Sequence, residues 1–293
     1  MSPKVRYVFH APSHTFSYIV WDPASLKAAI IDPVLDYDAS SGRTATDTAQ
    51  QLVDIVKAEG LSVQWLLETH AHADHVTAIP FLKAHFDAPT AIGERIVEVQ
   101  QRFARLFNLE AGFPTDGRQF DHLFKDTETF SVGSLSAQVL YTPGHTSDHV
   151  TYVIGDAVFC GDTLFMPDAG TARCDFPAGS ARSLFRSIHR LFDLLPDSHR
   201  VFVLHDYGTD EREPTNMSTI GEQRKHNIHV GVGIDEDEFV AMRNARDATL
   251  PMPALILPAV QINIRAGRLP PPEENGLRYL KIPLNEFRAY YGN

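Results

Sequence analysis

"LLETHAHADHVTA", residues 66–78, places His70, His72, Asp74 and His75 within six positions, directly after an apolar run that reads as a buried strand. Imidazoles and a carboxylate at the edge of an apolar core are costly to leave unpaired, so the concentration points to a metal centre. The segment before it, "TDTAQQLVDIVKAEG" (46–60), has the pattern of an amphipathic helix, with Leu52, Ile55 and Val56 on one face and Gly60 at the stop. A helix feeding the short strand "VQWLLETH" is a βα-type unit, and such units collect ligands at the strand's C-terminal edge.

Further along, "HVTYVIGDAVFCGD" (149–162) contains two β-rich runs, Val150 to Ile154 and Ala157 to Cys160, joined by Gly155-Asp156, a hairpin signal. The hairpin returns the chain to its starting end. "TPGHTSDH", with His145, therefore lies beside "GDTLF", with Asp162. A further strand, "RVFVLHDYG" (200–208), again ends in polar residues, His205, Asp206 and Tyr207.

Upstream, "FSYIV" and "AAIIDPV" flank the turn signal in "WDPASLK" and predict an opening β-hairpin. "AIPFLKAHF" reads as a helix and "APTAIG" as a strand. Residues 94–126 are less regular, with helical periodicity in "ERIVEVQQRFARLF"; they either cover the substrate or pack a helix on the surface. "DEDEFVAMRNARDAT" is a helix, and the Pro-rich tail after it is too apolar for a disordered linker. The chain is accordingly expected to form a single domain, 1–293, with a C-terminal extension (about 235–293) packed on it. Alternating helices, hairpins and strands with polar ends imply a layered α/β sandwich with one site at one edge of its sheets.

Composition narrows the function classes. The 293 residues are 43% hydrophobic and 22% charged, enough for a sizeable core. A net charge of −11 with no basic run argues against nucleic acid as a partner. Only two cysteines, Cys160 and Cys174, rule out a disulfide framework or a Cys-rich zinc site. No window approaches the roughly 18 apolar residues of a membrane span and no targeting segment is recognisable, so no membrane partner and a cytoplasmic location are expected. Fourteen histidines are many for this length; His10, His14, His85, His122, His189, His199, His226 and His229 lack motif context and are expected to be structural or solvent-facing.

His-x-His-x-Asp-His, Gly-His-Thr, Gly-Asp and a strand-terminal His together resemble the metallo-β-lactamase superfamily over residues from about 8 to 208. The resemblance implies a four-layer αββα sandwich with a metal site at one edge of two sheets. "ETHAHADHVTA", "TPGHTSDHVTYVIGDAVFCGDTLF", "GTARCDFPAGSARSLFRSIHRL", "VLHDYG" and "TIGEQRKHNIHV" further resemble its persulfide dioxygenase branch, of the bacterial glutathione persulfide kind. That branch implies one Fe(II) per chain on His70, His145 and Asp162, a two-histidine, one-carboxylate set that leaves positions open for O₂ and substrate. His72, Asp74 and His75 then support the ligands through hydrogen bonds, while His205, Asp206 and Tyr207 act near the open positions. Arg173 is the candidate for a glutathione carboxylate, since a guanidinium pairs bidentately with it; the alternative is a structural ion pair with Asp175. Glutathione persulfide and O₂ are the expected partners, and a homodimer is compatible with the sequence. The competing enzyme is a dinuclear zinc hydrolase of the glyoxalase II or lactonase kind, in which the supporting groups become ligands. A metal-dependent sensor is the non-enzymatic reading, weakened by the want of anything resembling an output domain.

Overall fold

The computed structural model describes residues 2–286, and within it two six-stranded sheets lie face to face. The first runs Lys4–His10, Thr15–Trp21, Lys27–Ile31, Ser62–Leu67, Thr90–Gly93, His122–Phe124 in spatial order. The expected hairpin between "FSYIV" and "AAIIDPV" is present, Tyr18 facing Ile31 and Trp21 facing Ala28. The chain begins one strand earlier, however: Lys4–His10 pairs with Thr15–Trp21 along its whole length, from Lys4↔Trp21 to His10↔Thr15. "KVRYVFH" is an edge strand whose side chains are mostly exposed or half-buried, so it carries little of the apolar run that marks a strand in a core.

From Lys27–Ile31 to His122–Phe124 the strands are parallel, with helices Asp47–Ala58 and Ile79–Phe86 crossing between successive strands. Parallel order places the C-terminal ends of these strands along one edge, so the residues that follow Ile31 and Leu67 emerge side by side. The second sheet runs Thr129–Val132, Leu135–Tyr141, Val150–Ile154, Ala157–Phe159, Arg200–Phe202, Met217–Thr219. Its Val150–Ile154/Ala157–Phe159 hairpin has the expected two-residue turn. Helix Ala181–Leu194, capped by the Ser180 side chain on Ser183 N–H, crosses to the parallel strand Arg200–Phe202.

Three apolar layers hold the sandwich. Phe16, Tyr18, Ile31, Tyr152, Phe159 and Phe202 fill the space between the sheets. Leu52, Val56 and Leu82 pack helices on the outer face of the first sheet, and Leu184, Ile188 and Leu191 do so on the second. Each such side chain contributes about 1.5–3 kcal/mol by leaving water. The expected four-layer αββα architecture is the one observed.

Residues 94–126 and the C-terminal extension pack on each other on the outer face of the first sheet. Helix Ile96–Leu106 buries Val99 and Phe103 in the first outer core, which also takes Ile256, Val260 and Ile264 from the extension. Gln100 Nε2 donates to Ile264 O at 2.9 Å, and Arg265 grips Glu110 with both terminal nitrogens at 2.6 Å. Of the two readings of this segment, the packed surface helix is thus the one found. The end of the 235–293 extension, from residue 287, lies outside the described residues. Among the described residues no helix is long and apolar enough to cross a membrane.

Candidate metal centre

Three loops at one sheet edge meet in a buried cluster. His70 follows strand Ser62–Leu67, His145 lies between Leu135–Tyr141 and Val150–Ile154, and Asp162 sits in the 3₁₀ turn Gly161–Thr163. Asp162 Oδ2 is 3.2 Å from His145 Nε2 and 3.7 Å from His70 Nε2, and the two imidazole rings stand at 86°. One donor atom from each of the three lies within 4.8 Å of the others. His70 Nε2 and Asp162 Oδ1 are buried with no hydrogen-bond partner. Buried polar atoms left so cost about 1–3 kcal/mol each, and a cation between them removes that cost. The donor set therefore fits a metal, and two imidazoles with one carboxylate suit Fe(II) or Zn(II).

The outer nitrogens of these imidazoles are tied down. His145 Nδ1 donates to Arg173 O at 2.7 Å, which leaves the Nε2 lone pair facing the cluster. His70 Nδ1 is 3.1 Å from Thr69 Oγ1, whose hydroxyl donates to Asp32 Oδ2 at 3.0 Å, so the ring nitrogen is the donor. Burial, aided by the His72, His149 and His145 rings, holds His70 well below the ordinary imidazole range.

A second group lies beside the first. His72, Asp74 and His75 also bring donor atoms within 4.8 Å of one another. His72 Nε2 is 3.0 Å from Asp32 Oδ1 and 2.9 Å from Glu68 Oε2, while its Nδ1 has no hydrogen-bond partner. Burial opposes a charge on His72, but the Asp32 and Glu68 carboxylates outweigh it and raise the ring well above its usual value. Burial in turn pushes Glu68 up to about 7 against the pull of His72. Asp74 Oδ1 is 3.3 Å from His75 Nδ1, and Asp74 Oδ2 is 3.1 Å from His205 Nε2. That same His205 nitrogen is 3.4 Å from Asp162 Oδ1. Burial would lower His205, yet the Asp162 and Asp74 carboxylates push it up to about 9. His205 thus joins the two groups.

The remaining expected site residues fall elsewhere. Asp206 is buried behind the strand end, paired with both terminal nitrogens of Arg212 and accepting Thr215 N–H at 2.7 Å. A carboxylate so committed anchors the 206–215 loop, so Asp206, expected to act in catalysis, is found in an ion pair with Arg212. Tyr207 is at the rim, 61% exposed, its ring 4.9 Å from that of His14. Arg173 is paired bidentately with Asp175 at 2.6 and 2.7 Å, and its Nη1 donates to Pro251 O. Its side chain is only 12% exposed, so the ion-pair alternative describes it and the free guanidinium expected to bind substrate is not offered. Cys174 and Cys160 are buried thiols, burial being the main reason that both are held protonated.

Three contributors were not anticipated from the sequence. Asp32 accepts the Thr69 N–H at 2.7 Å besides its contacts with Thr69 Oγ1 and His72. Its signal is the pattern already used for "LLETH": a polar residue closing an apolar strand, here "AAIID". His149 stands behind His70 and Asp162, in the same loop as His145. Asn263, on helix Ile256–Asn263 of the extension, donates to His72 O and His75 O at 2.8 Å each and accepts Thr77 N–H at 3.0 Å. An amide inside the apolar run "LILPAVQINI" is the trace it leaves in the sequence.

Comparison with known proteins places this geometry. A family model described as the Metallo-beta-lactamase superfamily matches residues 10–197. A "Probable metallo-hydrolase" of Burkholderia pseudomallei is 50% identical over 96% of this chain and 99% of its own. "Glyoxylase B2" of Dictyostelium discoideum is 50% identical over 96% and 97%. A mitochondrial "Persulfide dioxygenase ETHE1" of Bos taurus is 29% identical over 92% of this chain and 90% of its own. Among solved structures, that of ETHE1 from Myxococcus xanthus superposes with a TM-score of 0.71 at 30% identity, covering 90% of this chain and all of that one.

Proposed function

The chain belongs to the metallo-beta-lactamase superfamily, and on that premise we propose that it is an iron-dependent persulfide dioxygenase that converts glutathione persulfide, O₂ and water to glutathione and sulfite. The observation that carries this reading is the convergence of His70, His145 and Asp162, while the His72 ring, whose Nε2 lies between Asp32 and Glu68, is held charged by those carboxylates. Three protein donors leave room on a single ion for two further reactants. The likeness to a persulfide dioxygenase and to the ETHE1 structure supports the same choice.

His70, His145 and Asp162 would hold one ferrous ion, which would supply the redox activation of O₂ and of the terminal persulfide sulfur. Atoms balance with one persulfide, one O₂ and one water giving one thiol and one sulfurous acid. The chain's own groups bind and orient. Thr69 and the Arg173 carbonyl fix the two imidazole planes, so the donors need no reorganisation when the substrate arrives. His205 Nε2 lies 3.1 Å from Asp74 Oδ2 and 3.4 Å from Asp162 Oδ1, where the protonated ring would be placed to supply a proton to the departing thiolate. Tyr207 stands at the rim, its ring beside those of His14 and Phe165.

One observation favours the second reading, a dinuclear hydrolase. Both nitrogens of His75 and Nδ1 of His72 are buried without hydrogen-bond partners beside Asp74, which is the chemistry a second cation requires. The hydrolase and glyoxylase names of the half-identical relatives accord with it. Metal content of protein purified without added metal, paired with oxygen uptake on glutathione persulfide, separates the two. About one iron per chain with oxygen uptake is expected. Close to two zinc per chain, with hydrolysis of S-lactoylglutathione and no oxygen uptake, would refute the dioxygenase.

A further inference from the structure

His149 is 1% exposed and stands within the cluster, yet neither of its nitrogens is free to hold a cation. Its Nε2 accepts the backbone N–H of Asp162 at 2.9 Å, so its proton is on Nδ1, which meets Thr142 Oγ1 at 3.0 Å. The ring lies over that of His70, centroids 4.7 Å apart and planes at 27°. Asp148, its neighbour, accepts Ala71 N–H at 2.9 Å. One dipeptide therefore grips both the segment that carries His70 and the turn that carries Asp162. Gly161 makes the approach feasible: at φ +48° it occupies left-handed backbone, and a Cβ there would fall 2.6 Å from His149 Nε2 and 2.7 Å from Thr69 Oγ1.

We propose that His149 is the positioning residue of the metal centre, locking Asp162 through its backbone amide and His70 through its ring face. The proposal rests on His70 and Asp162 being ligands and is indifferent to the number or kind of cation. The physical reason is tolerance: ligand sites demand donors held to within about 0.5 Å and 10–20°. Asp162 is in a single 3₁₀ turn and itself departs from helical dihedrals, and its N–H would otherwise be a buried orphan. Through Thr142 Oγ1, itself 2.9 Å from Thr151 Oγ1, the imidazole transmits the rigidity of strand Val150–Ile154 to that turn.

Two substitutions divide the function. His149→Gln puts an amide oxygen near the position of Nε2 and keeps an acceptor for the Asp162 N–H. His149→Phe keeps a ring over His70 and removes the acceptor. Co(II) titration of the metal-stripped proteins, read by chelator competition and by the visible ligand-field spectrum, is accompanied by melting of the metal-free forms. His149→Phe should bind Co(II) about 10–100-fold more weakly with an altered spectrum, and His149→Gln should recover much of that loss. Wild-type affinity and spectrum in both variants, with only the melting temperature lowered, would overturn the proposal by showing a purely structural role. If His149→Phe does not fold, His149→Asn takes its place: its short amide reaches Thr142 but not Asp162, and it must bind more weakly than His149→Gln. Failure of the wild-type protein to bind Co(II) would instead refute the metal-centre reading itself.

Discussion

Replacing Asn263 by alanine tests whether the C-terminal extension is part of the metal site. The Asn263 side chain is buried and makes three hydrogen bonds to one loop: to His72 O and His75 O at 2.8 Å and from Thr77 N at 3.0 Å. Alanine leaves two carbonyls and one N–H without partners in a site closed by Val76, Ala259 and Ile262. Each orphaned group costs about 1–3 kcal/mol. A water in the vacated space has three polar neighbours and recovers part of this, so a net loss of about 3–5 kcal/mol is expected. Urea unfolding of the metal-free protein measures it, with an unchanged m-value confirming that the same structure unfolds. Metal affinity should fall as well, because the loop between His70 and Thr77 loses its anchor. Asn263→Asp, nearly isosteric, should be no better, since carboxylate oxygens would face two carbonyl oxygens. A loss below about 1 kcal/mol would refute the reasoning and reduce the extension to a packing element.

Further outcomes follow from single contacts. Asp162→Ala should abolish metal retention and turnover together, measured by elemental analysis and activity; full activity without Asp162 would sink the ligand set. Arg212→Ala strands the buried Asp206 carboxylate and should destabilise the protein by about 2–4 kcal/mol, seen in denaturant melts, while metal stoichiometry stays at the wild-type value. His229, lowered to about 4 by burial and by Arg243 and Arg246, accepts the Thr171 N–H through Nδ1. Its folded value lies below the unfolded one, so its contribution is complete above pH ~6.5 and is lost as pH falls toward 4. His229→Asn, which keeps an acceptor near Nδ1, should flatten the fall in urea midpoint between pH 7 and 5, and an equally steep fall would exclude His229 as its source.

Much of the fold is legible where apolar periodicity and turn chemistry agree. The helix ending at Gly60, the hairpin through Gly155-Asp156 and the strand leading into His70 all stand where the pattern puts them. The first strand is not legible, because an edge strand with solvent on its side chains loses its alternation without losing its ladder. At the site, the motif spacing brings His70, His145, Asp162, Asp74, His75 and His205 to one place. Side-chain direction is a different matter. Asp206 is adjacent in sequence to His205, but in an extended segment neighbours point to opposite sides, and Arg212 takes the one that turns away. Arg173 finds Asp175 two residues on, the local partner that the sequence itself offers as the alternative. Asn263 and His149 act through backbone groups of other residues, and backbone partners leave almost no signature in a single sequence.

The contrast between His70 and His72 bears on how many cations the centre takes. Metal ligation requires an imidazole nitrogen without a proton. His70 meets this cheaply: burial favours its neutral form, and its Nδ1–H is spent on Thr69, so Nε2 faces the cluster bare. His72 is held between Asp32 and Glu68, which together stabilise its charged form. A cation at His72 would bind the unpartnered Nδ1 and expel the proton there, while the Nε2–H stays between Asp32 and Glu68, so what ligation costs is the ring charge that those carboxylates stabilise. A first cation is therefore expected at His70, His145 and Asp162, and a second would have to displace the His72 Nδ1 proton that Asp32 and Glu68 stabilise. On the proposed dioxygenase reading, the Asp32 and Glu68 carboxylates oppose a second cation by stabilising the charged His72 ring, which ties a mononuclear outcome in this chain to a proton rather than to the count of histidines in the motif.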